Sequence, residues 1–108
     1  MSPFRSLFGS SKPAGPYQAP AGIPAPGGEH ELVLYKYDAC PYCWRVMKAM
    51  EQLGVTGVEM KDTRKHPEDR QALVSLTGRT QVPCLVIDGT PLLESEDIVD
   101  WLQAHAAA

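Results

Sequence analysis

Two cysteines separated by two residues, Cys40-Pro41-Tyr42-Cys43, stand directly after an apolar run and directly before a helical pattern. Paired thiols at this spacing, at a strand-to-helix junction, suit thiol–disulfide exchange. Pro41 fits the first position of a helix, where its missing N–H costs nothing, and this sets Cys40 at or next to the N-cap. A sulfur so placed faces unpaired backbone N–H groups and the positive end of the helix dipole, both of which favour thiolate over thiol. Helix N-termini are among the settings that bring a cysteine below its ordinary pKa of about 8.5. Cys43 falls one turn further in, less exposed but near enough to close a disulfide. The expected roles are therefore unequal: Cys40 attacks and Cys43 resolves.

Other uses of the same residues carry less weight. Zinc sites use this cysteine spacing, but four ligands are usual, and Cys84, His30, His66 and His105 supply no second ligand pair. No metal is expected. A purely structural bridge across two residues would be strained and easily reduced. Cys84 reads first as a small core residue, and as a second regulatory thiol only after that.

The elements that must hold these residues follow from periodicity and punctuation. Residues 31–37 form a short, mostly apolar run, as expected of a strand buried on both faces. A helix runs from Pro41 to about Leu53, with Val46, Met50 and Leu53 on one stripe and Gly54 to end it. Val55 to Asp62 reads as a second strand, polar enough at Glu59 and Lys61 to be an exposed edge. A second helix opens at Pro67 with Glu68 and Asp69 in its first turn, buries Ala72, Leu73 and Leu76, and stops at Gly78. Residues 81–87 give a third strand, entered through Pro83. Asp88-Gly89 signals a hairpin into a short fourth strand around residues 91–93. Ser95 caps a third helix that turns Ile98 and Leu102 to the sheet, flanked by Val99 and Trp101. The order is β-α-β-α-β-β-α, an α/β fold with a four-stranded mixed sheet flanked by helices.

Composition sets the outer limits. The chain has 108 residues, enough for one small domain. Residues 1–28 are rich in Pro, Gly, Ser and Ala and lack apolar periodicity, so they are expected to be a disordered tail ahead of a domain at 29–108. Phe4, Leu7 and Phe8 form the tail's single patterned piece, readable as a short docking, membrane-touching or transit-like turn. No apolar run is long enough for a signal-peptide core or a membrane span, so no membrane contact is expected. The tail holds two basic residues and no acid, whereas residues 29–108 hold 8 basic and 13 acidic residues, giving no basic footprint for nucleic acid. Three cysteines do not make a disulfide scaffold, which points to a reducing, cytoplasmic setting.

With this element order and Cys40-Pro41-Tyr42-Cys43, the chain resembles the glutaredoxins of the thioredoxin-fold superfamily from about Leu32 to Ala104. Residues 64–70, residues 77–83 and Asp88-Gly89 leading into 94–98 belong to the same pattern. Leu34 to Asp38 and the Glu94-Ser95 pair are also similar to the N-terminal domain of glutathione transferases. The 108 residues leave no room for the transferase's helical second domain, so a complete transferase is not expected.

The resemblance implies a thioredoxin-like fold and a cis peptide at Val82–Pro83 beside Cys40, with the Val82 backbone free to pair with the cysteinyl part of glutathione. It implies that Ser95 and the first amides of the last helix take the γ-glutamyl carboxylate. Glu94, with Glu96 and Asp97 as alternatives, takes the γ-glutamyl ammonium. Tyr42 lies along the tripeptide. Many glutaredoxins carry a Lys or Arg three residues before the first cysteine, where this chain has Tyr37. Lys36 is one residue earlier and points by alternation to the other face; Arg79 and Arg64 are further candidates for the glycyl carboxylate. The implied enzyme is a monomeric glutathione-dependent oxidoreductase. It takes glutathione as co-substrate and glutathionylated or disulfide-containing proteins as clients. Two alternatives remain open. One is a dithiol reductase served by thioredoxin reductase instead of glutathione. The other is an iron–sulfur cluster carrier, although glutaredoxins of that kind typically lack a proline at the position of Pro41.

Overall fold

The computed structural model describes residues 17–108; Phe4, Leu7, Phe8 and the rest of residues 1–16 lie outside the described residues. The elements run β1 (Leu32–Lys36), α1 (Pro41–Leu53), β2 (Glu59–Asp62), α2 (Pro67–Thr77), β3 (Cys84–Ile87), β4 (Thr90–Leu92) and α3 (Ser95–Ala107). This is the expected order, in a four-stranded sheet arranged β2-β1-β3-β4. β1 pairs parallel with β2 and antiparallel with β3, and the β3–β4 hairpin is antiparallel.

Alternation along β1 and β3 splits the interior in two. Leu32, Leu34, Leu85 and Ile87 face one side, joined by Val46 and Met50 of α1 and Ile98, Trp101 and Leu102 of α3. Tyr35, Cys84 and Val86 face the other, where α2 contributes Leu73. The first cluster is the larger, and α1 and α3 pack together over it. β2 is an edge, as its charged residues require.

Several boundaries differ from the sequence reading. The second strand begins at Glu59, because Gly54 and Gly57 both take positive φ and spend residues 54–58 on a reversal. The third strand begins at Cys84, after the proline. In α2 Leu73 alone is fully buried; Ala72 is exposed and Leu76 is 40% exposed, since a single helix on that face has no neighbour to cover its flanks. The hairpin turn has φ +50 at Asp88 and +87 at Gly89, the left-handed pair a tight two-residue reversal needs.

Residues 17–28 are not the loose tail their composition suggests. Tyr17, Ala19 and Ile23 pack on the larger cluster, and the Trp101 indole N–H donates to the Pro24 carbonyl at 2.8 Å. A buried indole needs an acceptor, and this segment supplies it without forming helix or strand.

Candidate active site

β1 ends at Lys36, β3 begins at Cys84, and the two strands are antiparallel with Tyr35 opposite Cys84. Cys40 and Pro83 therefore lie beyond the same end of the sheet. The Tyr37 carbonyl accepts the Cys40 amide at 3.2 Å, and this turn delivers Cys40 to the N-cap of α1. Cys40 is extended (φ −83, ψ 116), Pro41 opens the helix, and the Cys40 sulfur accepts the Cys43 amide at 3.3 Å. This is the N-cap geometry of a serine or aspartate, with sulfur in the place of oxygen.

All three cysteines are free thiols and all are buried, but unequally. Cys40 keeps 4% of its surface, while Cys43 and Cys84 keep none. Burial, followed by the hydrogen bond toward Cys40, pushes the Cys43 thiol up to about 12. Burial likewise pushes Cys84 up to about 11. Cys84 belongs to the smaller core cluster, as a small apolar residue would. Tyr42, in the first turn of α1, is 62% exposed.

The residues expected to hold glutathione meet at this end to different degrees. The Val82–Pro83 bond is cis. Arg79 contacts the Gln81 side chain at 3.4 Å, and the Gln81 amide donates to Glu94 at 3.2 Å. Glu94 is thereby held beside the Val82–Pro83 turn. Gln81 is a positioning residue that sequence reasoning misses; its place two residues before the proline is the available signal. Glu94, not Ser95, is the N-cap of α3, and its side chain makes no capping bond. Ser95 is the first helical residue, since the β4–α3 connection turns one residue earlier than the serine suggests.

Lys36 is committed elsewhere. Its ammonium bonds Asp38 at 2.8 Å and lies 3.6 Å from the buried Asp62, its register partner on β2. The hydrogen bond to Asp38 raises the lysine, and Lys36 with Lys65 holds the Asp38 carboxyl down at about 2. Asp62 also accepts the amides of Arg64 (2.9 Å) and Lys65 (2.8 Å), which shapes the turn into α2. That turn lays the Arg64 guanidinium over the Tyr37 ring, 3.7 Å from its centroid. A cation thus stands at Tyr37 after all, carried by Arg64.

The arrangement sets one sulfur at a helix N-cap, keeps a second fully buried one turn further in, and gathers Arg64, Arg79 and Glu94 in the neighbouring turns. Among the described residues no group of three or more His, Cys, Asp or Glu side chains could hold a metal ion, and no helix is long and apolar enough to cross a membrane.

Comparison with known proteins agrees with this geometry. The family model for the glutathione S-transferase N-terminal domain matches residues 34–108. Glutaredoxin-C6 of Oryza sativa subsp. japonica is 38% identical over 60 residues, which is 54% of this chain and 54% of that protein. The chain thus spans about half the length of that relative. Among solved structures, the holo form of glutaredoxin C1 from Populus tremula x tremuloides superposes with a TM-score of 0.56 at 25% identity, covering 70% of this chain and 77% of the other. A buckwheat glutaredoxin–glutathione complex superposes at 0.55 and 24% identity over 72% and 81% of the two chains, and shows the fold.

Proposed function

The chain belongs to the family of the glutathione S-transferase N-terminal domain, and on that premise we propose that it is a glutaredoxin-type oxidoreductase using glutathione as co-substrate. The observation that carries the proposal is the Cys40 sulfur seated at the N-cap of α1, accepting the Cys43 amide. Similarity to glutaredoxin relatives supports the same reading.

In the proposed reaction the Cys40 thiolate attacks the glutathione sulfur of a protein–glutathione mixed disulfide. The old S–S bond breaks, the protein thiolate leaves and takes a proton from water, and glutathione stays on Cys40. A second glutathione thiolate attacks that bond, producing oxidised glutathione and restoring Cys40. With a disulfide-containing protein client, the Cys40 thiolate attacks one client sulfur and displaces the other. Cys43 gives its proton to the departing client thiolate and attacks the Cys40 sulfur, which releases the reduced client and leaves a Cys40–Cys43 disulfide. Two glutathione molecules reduce that disulfide, ending as oxidised glutathione. The high pKa of Cys43 makes it a poor first nucleophile and keeps it in reserve.

Glutathione would lie between the helix starts. The Val82 backbone pairs with its cysteinyl residue as an added strand would, and Tyr42 flanks it. Ser95 and the first amides of α3 take the γ-glutamyl carboxylate, and Glu94 takes the ammonium. Arg64, with Arg79, is the better candidate for the glycyl carboxylate, since two carboxylates already hold Lys36. The protein is proposed to act as a cytoplasmic monomer.

Turnover of a glutathionylated peptide, driven in parallel by glutathione with glutathione reductase and by thioredoxin reductase alone, tests the reading. Turnover in the first assay is expected. Turnover confined to the second would assign the chain to the glutathione-independent dithiol reductases.

A further inference from the structure

Residues 17–28 run along α3, and at the end of the sheet away from Cys40 residues 24–28 meet its C-terminal half, fastened there by two histidines with opposite requirements. The His105 ring stacks on Trp101 (centroids 4.7 Å apart, planes at 19°), and its Nδ1 accepts the Gly27 amide at 2.9 Å. That bond exists only while Nδ1 carries a lone pair; a protonated ring would set N–H against N–H. His30 stands edge-on to Trp101 at 5.4 Å and 5.5 Å from His105. Its Nδ1 donates to Asp88 at 2.6 Å, and Asp88 also accepts the Glu31 amide at 2.7 Å. The other ring nitrogen, Nε2, is buried with no hydrogen-bond partner, and the backbone of Ala25 and Gly27 in the crossing segment favours the charged ring. A charged His30 is attracted to the Asp88 carboxylate and to that backbone, and a neutral His30 loses this attraction.

We propose that residues 17–28 form a pH-gated strap, seated while His30 is charged and His105 neutral, and released when His105 gains a proton or His30 loses one. Among the described residues, the charged or titrating groups that act on the pair are few. Asp88, from the β3–β4 turn, faces His30, and His30 itself faces His105; Asp97 of α3 lies toward Tyr17 at the other end of the strap. The hydrogen bond to Asp88 raises His30 above its ordinary value, while burial and then the nearby His30 charge lower His105. His30 therefore supports the closed strap below the ordinary histidine value, and this support is lost as pH rises through its raised pKa. His105 supports it above the ordinary value, and this is lost as pH falls through its lowered pKa. The strap is firmest between the two.

Gly27 supplies an independent handle. It aims its amide at His105 from φ +97, and a Cβ added there would lie 2.9 Å from the Ala108 side chain. Gly27→Ala should therefore unseat the strap whatever the protonation state. Release frees the C-terminal half of the helix whose first turn, at Glu94 and Ser95, borders the site.

Exchange protection of the Gly27 amide and the Trp101 indole N–H, followed by NMR on the full chain, tests the proposal. Protection should peak at about pH 6.5 and fall roughly tenfold on either side, the equivalent of one hydrogen bond. His105→Gln, which offers a neutral acceptor, should lose the acid-side fall, and His30→Gln the alkaline one. Gly27→Ala should be unprotected throughout. A flat wild-type profile, or an acid-side fall that survives in His105→Gln, overturns the proposal. Should that variant not fold, the wild-type titration decides: the His105 ring nitrogens and the Gly27 amide must change with one midpoint, and separate midpoints refute the strap.

Discussion

At one end of the sheet β1 runs toward Cys40 and the start of α1, and the Gln81–Glu94 bond ties the start of α3 to the chain entering the Val82–Pro83 turn. At the other end β1 starts beside the β3–β4 turn, under the last turns of α3, and residues 17–28 close over it. Both ends bury polar groups, but they dispose of them differently. The far end ties donors to acceptors: Trp101 to Pro24, Gly27 to His105, and His30 and Glu31 to Asp88. The site end carries the N-terminal turns of α1 and α3, with Glu94 tied to Gln81 and Arg64 laid over Tyr37. The fastening contacts are concentrated at the far end and the proposed chemistry at the site end, with α3 reaching both.

Substitutions at the two ends should accordingly fail in different ways. Cys40→Ser is expected to abolish turnover of a glutathionylated peptide while leaving the unfolding midpoint unchanged. Cys43→Ser should stay within about threefold of the wild type on that substrate and lose activity on protein disulfides. The reverse ranking would interchange the two roles.

Trp101→Ala at the far end should cost about 3–5 kcal/mol in urea unfolding, the penalty for emptying a fully buried aromatic site. Tyr42→Ala at the site end should change stability by less than about 0.5 kcal/mol, because that ring is mostly in water. Equal losses would erase the division between the ends.

A smaller effect separates the cations. Arg64→Ala should raise KM for glutathione by roughly three- to tenfold with kcat unchanged, as removal of a binding contact made equally in ground and transition states requires. Lys36→Met should leave KM unchanged, because its charge is already matched by Asp38 and Asp62.

The smallest effect at neutral pH belongs to Cys84. The buried thiols of Cys43 and Cys84 have folded pKa values of about 12 and 11, above the ordinary cysteine value. Their protonated forms support the fold below that ordinary value, and the support is lost as pH rises through the raised values. Stability should therefore decline on the alkaline side, and Cys84→Ala should flatten part of that decline in pH-dependent unfolding.

Most of the frame is legible in the sequence because it is written in local signals. Pro41 marks the start of α1, Gly54 and Gly78 end two helices, and Asp88-Gly89 makes the hairpin. Alternation along β1 and β3 gives the faces of the sheet. The misses are tertiary. Tyr17, Ala19 and Ile23 are too sparse to show a period, so a Pro- and Gly-rich segment reads as loose although a buried indole fixes it. Alternation indicates that Lys36 faces away from Tyr37, but not that Asp62 stands beside it on β2. Ser95 has the side chain of a cap, yet the chain turns at Glu94. Arg64 meets Tyr37 only because Asp62 shapes the intervening turn.

The central claim is that the first turn of α1 singles out Cys40 among three buried sulfurs. Brief treatment of the reduced, folded protein with iodoacetamide near neutral pH, followed by peptide mapping, tests it most directly. Label is expected on Cys40, with Cys43 and Cys84 modified only after unfolding. Label on Cys43 or Cys84 as fast as on Cys40, or a Cys40 that stays unmodified, would contradict it.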